Sequence, residues 1–541
     1  MWVQLVALLP VLSIASSWSG LSDQQALKSP HGEHHQDALA SRAFDNFIND
    51  TLTEFLTPGV AIAIVHGNDT FSKAYGCADL VTGEPMTART LFYTGSTTKS
   101  FTAATVSRLV YSNHTHIDWN TKLVDLIRDD FVLQDEYATN HISLTDALSH
   151  RTGMPRHDFS WVNGDPSLRD MVRRMRNLPM HRELREGWEY CNLMFSAVSH
   201  AIETVASAPM GELLRSWFWE PLGMTETFYD IEDALAYAER SNGEVTVARG
   251  YMYHNSSQSQ VECPFSTIPP SNGAGGVISN VLDYTRWLRT FLGTLPDNVS
   301  SPLSPEAIET LTASHMVEPP NDWWPTDIVT YGLGLESTTY RGHKIIAHSG
   351  SINGYMTMMA WIPDLEWGVV LLQNAYSYAE MVIFWHIVDD FLKTPGDEQF
   401  NAARVAKDAQ AHAEHDLNNP RERLYPSAGN HATVPPALPL QAYEGVYSHP
   451  AYDNLTLSMS AHGEELLYAV PTGKSYMNIT ATLHHVSGEH WYALQQTGPG
   501  HWLVNVALKA QFDIGVDGGV KRFGLQAESA MEVLAWFEKM A

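Results

Sequence analysis

The stretch GSTTKSF, from Gly95 to Phe101, places a hydroxyl and an amine three residues apart at the start of a helical pattern. In a helix that begins at Thr97, Ser96 and Lys99 lie one turn apart on the same face. A lysine can take the proton of a serine hydroxyl once burial or a neighbouring cation lowers the lysine pKa. The stretch therefore predicts a nucleophilic Ser96 with Lys99 as its general base.

A Ser-x-x-Lys pattern arises by chance about once or twice in a chain of this composition and length. The assignment therefore needs further residues that fit the same chemistry. The pattern Tyr-x-Asn occurs five times, and in four of them the asparagine is also an N-glycosylation acceptor, which must face solvent. Only Asn192 escapes this filter, at the start of a predicted helix. We therefore expect Tyr190 to be the acid/base partner, with a phenol pKa depressed by the Lys99 ammonium.

A third polar group follows a predicted strand, Lys344 to His348, which delivers the sequence His348-Ser349-Gly350-Ser351. The run Arg151-Thr152-Gly153 also places a cation beside a glycine, but it precedes Tyr190 and lies at a helix-to-loop junction. We favour the strand, because its end would lie beside the proposed nucleophile. His348, Gly350 and Ser351 are thus predicted substrate-binding residues.

The composition limits the partners of the chain. Its 541 residues carry 61 acidic and 33 basic side chains, a formal net charge of -28. Such a charge argues against nucleic acid and anionic membranes as partners, and favours a soluble acidic protein. No Cys/His spacing fits a zinc site, so we expect neither a metal nor a cofactor. The oligomeric state stays open.

The N-terminal region predicts secretion. An apolar run from Leu5 to Ile14 followed by small residues is typical of a signal peptide over residues 1–20, and a polar arm follows over residues 21–42. Seven sequons point to a glycoprotein, at Asn49, Asn68, Asn113, Asn255, Asn298, Asn454 and Asn478. The three cysteines, Cys77, Cys191 and Cys263, permit at most one disulfide, whose pairing the sequence leaves open.

The order of strand and helix patterns predicts a mixed α+β catalytic domain over residues 43–393. Apolar strand patterns at Gly59–Val65 and Gly368–Gln373 flank a mostly helical stretch over about 120–330. We expect one antiparallel sheet assembled from both ends of this segment, with helices on its faces and an all-helical lobe inserted. The nucleophile helix itself is predicted to be amphipathic.

The last third of the chain has a different pattern. Residues 394–438 lose periodicity and gather proline, alanine and charge, which predicts a linker. Five short strand patterns follow within residues 439–541, at roughly even spacing. They are typical of a small antiparallel barrel or sandwich.

Taken together, these motifs resemble the serine β-lactamase-related family, which includes class C β-lactamases, D-aminopeptidases and family VIII esterases. Residues from about 56 to 400 carry the resemblance, and its further motifs are Pro58–Val60, Leu148–Pro155, Glu220–Met224, Ala274–Ser279 and Tyr331–Gly334. The C-terminal part is similar to the lipocalin-like barrel that some members append.

The resemblance implies that Ser96 is acylated, Lys99 is its base, Tyr190 the acid/base partner and Asn192 a ligand of the substrate amide. The backbone N–H groups of Ser96 and Ser351 would form the oxyanion hole. Where relatives carry lysine, His348 is mostly neutral near pH 7, which disfavours efficient β-lactamase activity.

The leading hypothesis is a secreted serine hydrolase that cleaves an ester or amide through a Ser96 acyl-enzyme. Acyl transfer to an acceptor other than water, as in some relatives that serve secondary metabolism, would use the same residues. A non-catalytic binding protein on the same fold is the third hypothesis, and it would have no need for Ser96, Lys99 and Tyr190 together.

Overall fold

The structure is a computed structural model of the full chain. It describes residues 41–112, 116–162, 166–254, 257–265, 267–428, 433–460, 466–469, 479–497, 504–529 and 531–540. The predicted signal peptide and nearly all of the predicted arm lie outside the described residues. Domain boundaries at residues 20, 42, 393 and 438 stay predictions.

A nine-stranded antiparallel sheet forms the centre of the catalytic domain. Its middle is the pairing of Gly59–His66 with Trp367–Gln373, in which Ile62 lies opposite Leu371. The expectation of one sheet built from both ends of the segment is confirmed. In spatial order the strands are Glu84–Pro85, Asp69–Asp79, Gly59–His66, Trp367–Gln373, Tyr355–Ile362, His343–Ile352, Glu336–Tyr340, Thr330–Tyr331 and Met316–Val317.

Both faces of this sheet are covered, which explains why its central strands are mostly apolar on both sides, with few polar residues such as Thr357 and Gln373. Along Gly59–His66, Val60 and Ile62 belong to one core cluster, whereas Ala61 and Ala63 belong to another. Alternate side chains of a strand point to opposite faces, so each set packs on its own helical layer. Helices Arg42–Glu54 and Ala379–Phe391 cover the first face, and Thr98–Val110 and Val281–Leu292 lie on the second.

The prediction of an amphipathic nucleophile helix was wrong. In Thr98–Val110 every residue except Arg108 and Val110 is buried, because the helix lies between the sheet and the lobe. A helix enclosed on all sides needs no polar face, and three of its buried hydroxyls donate to backbone carbonyls instead: Ser100 to Thr97, Thr102 to Gly273 and Thr105 to Phe101.

The inserted lobe is mostly helical, as expected. It also contains a two-stranded hairpin, Gly250–His254 with Ser259–Cys263, which the periodicity did not predict. Its α-helices are Leu123–Leu126, Glu136–His141, Leu144–Leu148, Phe159–Val162, Leu168–Arg174, Asn192–Ala206, Met210–Leu214, Glu220–Leu222, Ile231–Arg240, Asn272–Gly275, Val281–Leu292 and Pro305–Thr312.

The segment predicted as a linker is largely helical. Helix Ala402–Asn418 contacts both Ala379–Phe391 and the barrel strand Val504–Ile514, and a short helix, Pro420–Leu424, contacts the barrel as well. The apolar face of helix Ala402–Asn418 consists of alanines and Val405. These side chains are too small and too sparse to be recognised as a periodic apolar pattern among the charged residues. The segment therefore packs against both units that it joins.

The C-terminal unit is a closed, antiparallel, eight-stranded barrel. The predicted barrel is thus confirmed, although three of its strands were missed; the lipocalin-like description stays a prediction. The missed strands combine few large apolar residues with histidine, lysine or arginine, as in VKRFGL at Val520–Leu525. The eight strands are Gly445–His449, Asp453–Met459, Leu466–Ala469, Ile479–Ser487, His490–Thr497, Val504–Ile514, Val520–Leu525 and Ala535–Lys539.

No disulfide joins the three cysteines: Cys191 and Cys263 are buried thiols and Cys77 is half-buried. Burial raises the pKa of each thiol, to about 12 for Cys191 and Cys263. They pack as small apolar residues. Within the described residues, no helix combines the length and apolarity needed to cross a membrane.

Acid sensitivity follows from a buried histidine of the barrel. The His449 Nδ1 accepts from the backbone N–H of Ala451 at 3.0 Å, and burial lowers the His449 pKa to about 4. The unfolded imidazole takes up a proton near pH 6.5, so its stabilising contribution is complete above pH 6.5 and is lost as the pH falls towards 4.

We expect His449→Asn, which keeps an acceptor but cannot titrate, to reduce the loss of unfolding free energy between pH 7 and pH 5 by about 2 kcal/mol. Urea unfolding at both pH values measures this difference. The control is the same substitution at His141, an exposed residue at the end of helix Glu136–His141. An unchanged pH dependence in His449→Asn would contradict the assignment.

Candidate active site

Ser96 lies in a single 3₁₀ turn, Gly95–Thr97, that leads directly into the helix Thr98–Val110. The turn is fixed by hydroxyl bonds: Thr97 Oγ1 donates to the Thr94 carbonyl at 2.9 Å, and Thr94 Oγ1 donates to the Val277 carbonyl at 2.9 Å. Gly95 has φ +54°, a left-handed conformation that glycine adopts without strain. The sequence thus holds Ser96 rigidly, with 8% of the residue exposed.

Lys99 is fully buried, and the predicted pairing with Ser96 is confirmed. Its Nζ lies 3.1 Å from Ser96 Oγ, 2.8 Å from Asn192 Oδ1 and 2.8 Å from the Ala274 carbonyl. Burial lowers the Lys99 pKa well below its ordinary value, and the Arg156 guanidinium lowers the pKa further. A neutral amine has two N–H donors for the two carbonyl oxygens, which leaves its lone pair for the Ser96 hydroxyl proton.

Tyr190 has the predicted position but not the predicted ionisation. Its ring centre lies 4.8 Å from Lys99 Nζ, and its hydroxyl interacts with Ser96. The expected depression of the Tyr190 pKa is wrong: burial raises this pKa, and the Arg156 cation and the bond to Ser96 offset only part of the rise. Tyr190 therefore keeps its proton near neutral pH, which suits a proton donor to a leaving group.

Asn192 is the first residue of helix Asn192–Ala206 and is engaged at both ends of its amide. Its Oδ1 accepts from Lys99 Nζ, and its Nδ2 donates to both carboxylate oxygens of Asp158, at 3.0 and 3.1 Å. These bonds fix which end of the amide faces Lys99. Asn192 thus orients the base, and contact with a substrate amide stays a prediction.

His348 is completely buried in strand His343–Ile352. Its Nε2 lies 2.8 Å from the Tyr331 hydroxyl and its Nδ1 lies 2.6 Å from the Ser349 carbonyl, so the imidazole donates from Nδ1 and accepts at Nε2. Burial and, after it, the neighbouring Lys99 lower the His348 pKa to about 3. The expected neutrality of His348 is confirmed, but its burial argues against the predicted contact with substrate.

The same strand brings its backbone against the nucleophile turn. A Cβ added at Gly350 would lie 2.1 Å from the Thr94 carbonyl oxygen, and one added at Gly95 would lie 2.7 Å from the backbone nitrogen of Ser351. Both glycines are therefore required for this close approach. It places the backbone nitrogens of Ser96 and Ser351 on adjoining segments, as two donors of one oxyanion hole would require.

Several residues of the site escaped the sequence analysis. Arg156 holds its Cζ 4.9 Å from the centre of the Tyr190 ring, and its Nε donates to Asp158 Oδ2 at 2.8 Å. His150 packs its ring 4.2 Å from that of Tyr190 and accepts from the Cys191 backbone N–H. His150 and Tyr331 do lie in motifs that carried the family resemblance. Arg156 and Asp158 follow such a motif directly, but a nearby pair of opposite charges is no signal by itself.

The seven predicted glycosylation sites fall into two groups. Asn49, Asn68, Asn298 and Asn454 are exposed, as acceptors must be. Asn113, Asn255 and Asn478 lie outside the described residues. Glycosylation itself stays a prediction.

Comparison with known proteins agrees with this geometry. Residues 45–386 match the Beta-lactamase family, and residues 430–539 match a domain of unknown function, DUF3471. An unguisins hydrolase of Aspergillus campestris is 36% identical over 506 residues, which cover 92% of this chain and 91% of the relative.

Two solved structures share the fold. The octameric penicillin-binding protein homologue from Pyrococcus abyssi has a TM-score of 0.57 at 21% identity, covering 91% of this chain and 99% of its own. The D-amino acid amidase from Ochrobactrum anthropi SV3 has a TM-score of 0.50 at 23% identity, covering 64% of this chain and 97% of its own. With its family match spanning the whole Ser96–Lys99 site, the chain belongs to the β-lactamase family and is a serine hydrolase of that fold.

Proposed function

We propose that this protein is a secreted hydrolase that cleaves an amide bond of a small molecule or peptide through an acyl-enzyme on Ser96. The observation that carries the proposal is the buried Lys99 amine, whose Nζ lies 3.1 Å from Ser96 Oγ and donates to the Asn192 Oδ1 and the Ala274 carbonyl. Lys99 can therefore accept the Ser96 proton without first carrying a charge of its own inside the site.

The reaction runs in two halves on these residues. Ser96 Oγ forms a bond to the substrate carbonyl carbon as its proton passes to Lys99 Nζ, and the carbonyl oxygen becomes an oxyanion facing the N–H groups of Ser96 and Ser351. The C–N bond then breaks, and the leaving amine takes a proton from the Tyr190 hydroxyl, which Lys99 resupplies. In the second half, water adds to the acyl carbon as one of its protons passes to Lys99 Nζ. The bond from the acyl carbon to Ser96 Oγ then breaks, Oγ takes that proton back, and the acid product loses its own proton to solvent and leaves as a carboxylate.

The relative of known activity supports a substrate class. The unguisins hydrolase aligns over nearly the whole length of both chains, so the likeness is not confined to the catalytic domain. We propose that this protein acts on unguisins or on compounds of similar chemistry. Its exposed sequons and apolar N-terminal run support secretion.

The state of His348 supports a substrate without an essential carboxylate at that position. A neutral, buried imidazole offers no cation for such a group, and a missing charge-assisted bond costs about 1.5–3 kcal/mol. Carboxylate-bearing β-lactams should therefore have at least about 10-fold lower kcat/KM than neutral amides.

The test is product analysis of unguisins incubated with the purified protein in ¹⁸O-labelled water. We expect products that have gained one water with one ¹⁸O in the new carboxylate, and an acyl adduct on the peptide that contains Ser96. An unlabelled product joined to an added amine or alcohol would indicate acyl transfer instead. Turnover of no amide, together with no adduct on Ser96 from any activated ester, would refute the proposal.

A further inference from the structure

The loop that carries Arg156 and Asp158 is held by the C-terminal barrel. Between these two residues, His157 adopts φ +52° and is fully buried. Its Nε2–H donates to the Pro179 carbonyl at 2.8 Å, and its Nδ1 accepts from the hydroxyl of Tyr452, a barrel residue, at 2.5 Å. The ring of Phe159 lies 5.7 Å from that of Tyr452. The barrel therefore contacts the loop at both His157 and Phe159.

A carboxylate of the barrel reaches the same loop. Glu528 follows the strand Val520–Leu525, and only 17% of its side chain is exposed. Its Oε1 accepts from the backbone N–H of Phe159 at 3.2 Å, and its Oε2 lies 3.7 Å from Arg156 Nε. Glu528 thus shares the Arg156 guanidinium with Asp158, whose Oδ2 lies 2.7 Å from Arg156 Nη2.

From this shared guanidinium, an unbroken series of contacts leads to the catalytic lysine. Asp158 accepts from Asn192 Nδ2 with both oxygens, and Asn192 Oδ1 accepts from Lys99 Nζ. Arg156 itself lies over the face of the Tyr190 ring. A displacement of the Arg156–Asp158 pair would therefore move both Asn192 and the environment of Tyr190.

The electrostatics of the cluster point the same way. Arg156 lowers the Lys99 pKa, whereas Asp158 raises it. Burial and, after it, the Asp158 carboxylate raise the Glu528 pKa to about 8, although Arg156 opposes both. Ionising Glu528 is costly because the residue is buried, yet it lies against the Arg156 guanidinium at the edge of the site. Packing alone does not explain a glutamate here, because glutamine or leucine would fill the same space.

We propose that the barrel completes the active site, and that Glu528 is a positioning residue that holds the Arg156–Asp158 pair in register with Asn192 and Tyr190. The inference rests on the proposed function, because it assigns Glu528 a role in acylation of Ser96. Glu528 touches neither Ser96 nor Lys99, and it acts through Arg156 and Asp158.

The experiment measures the acylation rate and the apparent binding constant for an activated ester on the full-length protein. The variant Glu528→Gln keeps an oxygen that accepts from the Phe159 N–H and places an amide NH₂ group, which cannot accept a hydrogen bond, where Oε2 faces Arg156. We expect its acylation rate to fall about 10-fold with binding unchanged, because small displacements of catalytic groups cost one to two orders of magnitude. Glu528→Asp should restore part of the rate.

A double-mutant cycle tests the route through Arg156. In an Arg156→Met background, Glu528→Gln should slow acylation by less than about 2-fold, because the guanidinium that it holds is gone. The control is Glu532→Gln: this barrel carboxylate lies near His181 Nε2 at 3.1 Å, is 75% exposed and should acylate at the wild-type rate.

Each outcome decides one proposal. Wild-type protein that never acylates at Ser96 refutes the proposed function, whereas folded Glu528→Gln that acylates at the wild-type rate overturns only the role of Glu528. Additive losses in the cycle would also overturn the route through Arg156. If Glu528→Gln fails to fold, Tyr452→Phe, which removes the hydroxyl bound to His157, replaces it: a slower acylation supports the role of the barrel, and a wild-type rate overturns it.

Discussion

Ser96→Ala is expected to abolish the acyl-enzyme and to lower kcat by about 10⁴-fold or more, because the substitution removes the only atom that forms the covalent bond in the proposed reaction. Binding should be nearly unchanged, since the loss of one hydroxyl in a rigid turn leaves the surrounding surface in place. Intact-mass spectrometry after incubation with an activated ester measures the adduct, and steady-state kinetics measure kcat.

A matched control lies on the same helix. The Ser107 hydroxyl is buried without a hydrogen-bond partner among the described residues, so Ser107→Ala removes no bond and should label like the wild type. Equal labelling of Ser96→Ala and Ser107→Ala would show that another group is acylated. Thermal unfolding of both variants separates a loss of chemistry from a loss of fold.

Lys99→Ala should slow acylation by about 10³- to 10⁴-fold, because the Ser96 hydroxyl loses the amine that accepts its proton. The neutral amine is the active form, so the wild-type acylation rate should rise with pH as Lys99 deprotonates. Its lowered pKa places this rise below the ordinary lysine range, and the rise should disappear in the variant. Pre-steady-state acylation across pH 5–10 measures both effects.

The control for this substitution is Lys344→Ala. Lys344 belongs to the strand that carries His348, its Nζ donates to the Thr312 carbonyl at 3.1 Å, and its contact is outside the site. We expect a wild-type acylation rate and pH dependence in Lys344→Ala. A change in Lys99→Ala confined to KM would contradict a base role and would indicate a binding role instead.

These predictions depend on how deeply the catalytic side chains are buried, and the sequence predicted that burial only in part. The spacing of Ser96 and Lys99 fixed their proximity, since residues three apart on a helix always share a face. The sequence could not predict whether burial, which raises the Tyr190 pKa, or a neighbouring cation, which lowers it, would have the larger effect. Both Lys99 and Arg156 lie beside the Tyr190 ring. Burial dominates, so the Tyr190 pKa is raised where a depressed pKa was expected, and Tyr190 keeps its proton.

The histidine of the third motif illustrates the same limit. Its place on a strand next to the nucleophile was predictable from the order of apolar runs, although that strand continues to Ile352 instead of ending at His348. Its identity alone predicted a mostly neutral group. Its contact with Tyr331, 17 residues earlier in the chain, arises only because their two strands belong to one sheet. That contact makes His348 a buried structural residue instead of an exposed ligand of the substrate.

The sequence by itself determined the chemistry that is local: a serine and a lysine on one turn of helix, and strands whose continuous apolar character required a sheet covered on both faces. It also determined that a second all-β unit follows. Only the tertiary structure decided that this unit belongs to the active site, because Glu528 meets Arg156 across 372 positions of chain, with no periodicity to link them. Local spacing sets which groups can react, whereas desolvation and long-range contacts set their protonation and their partners.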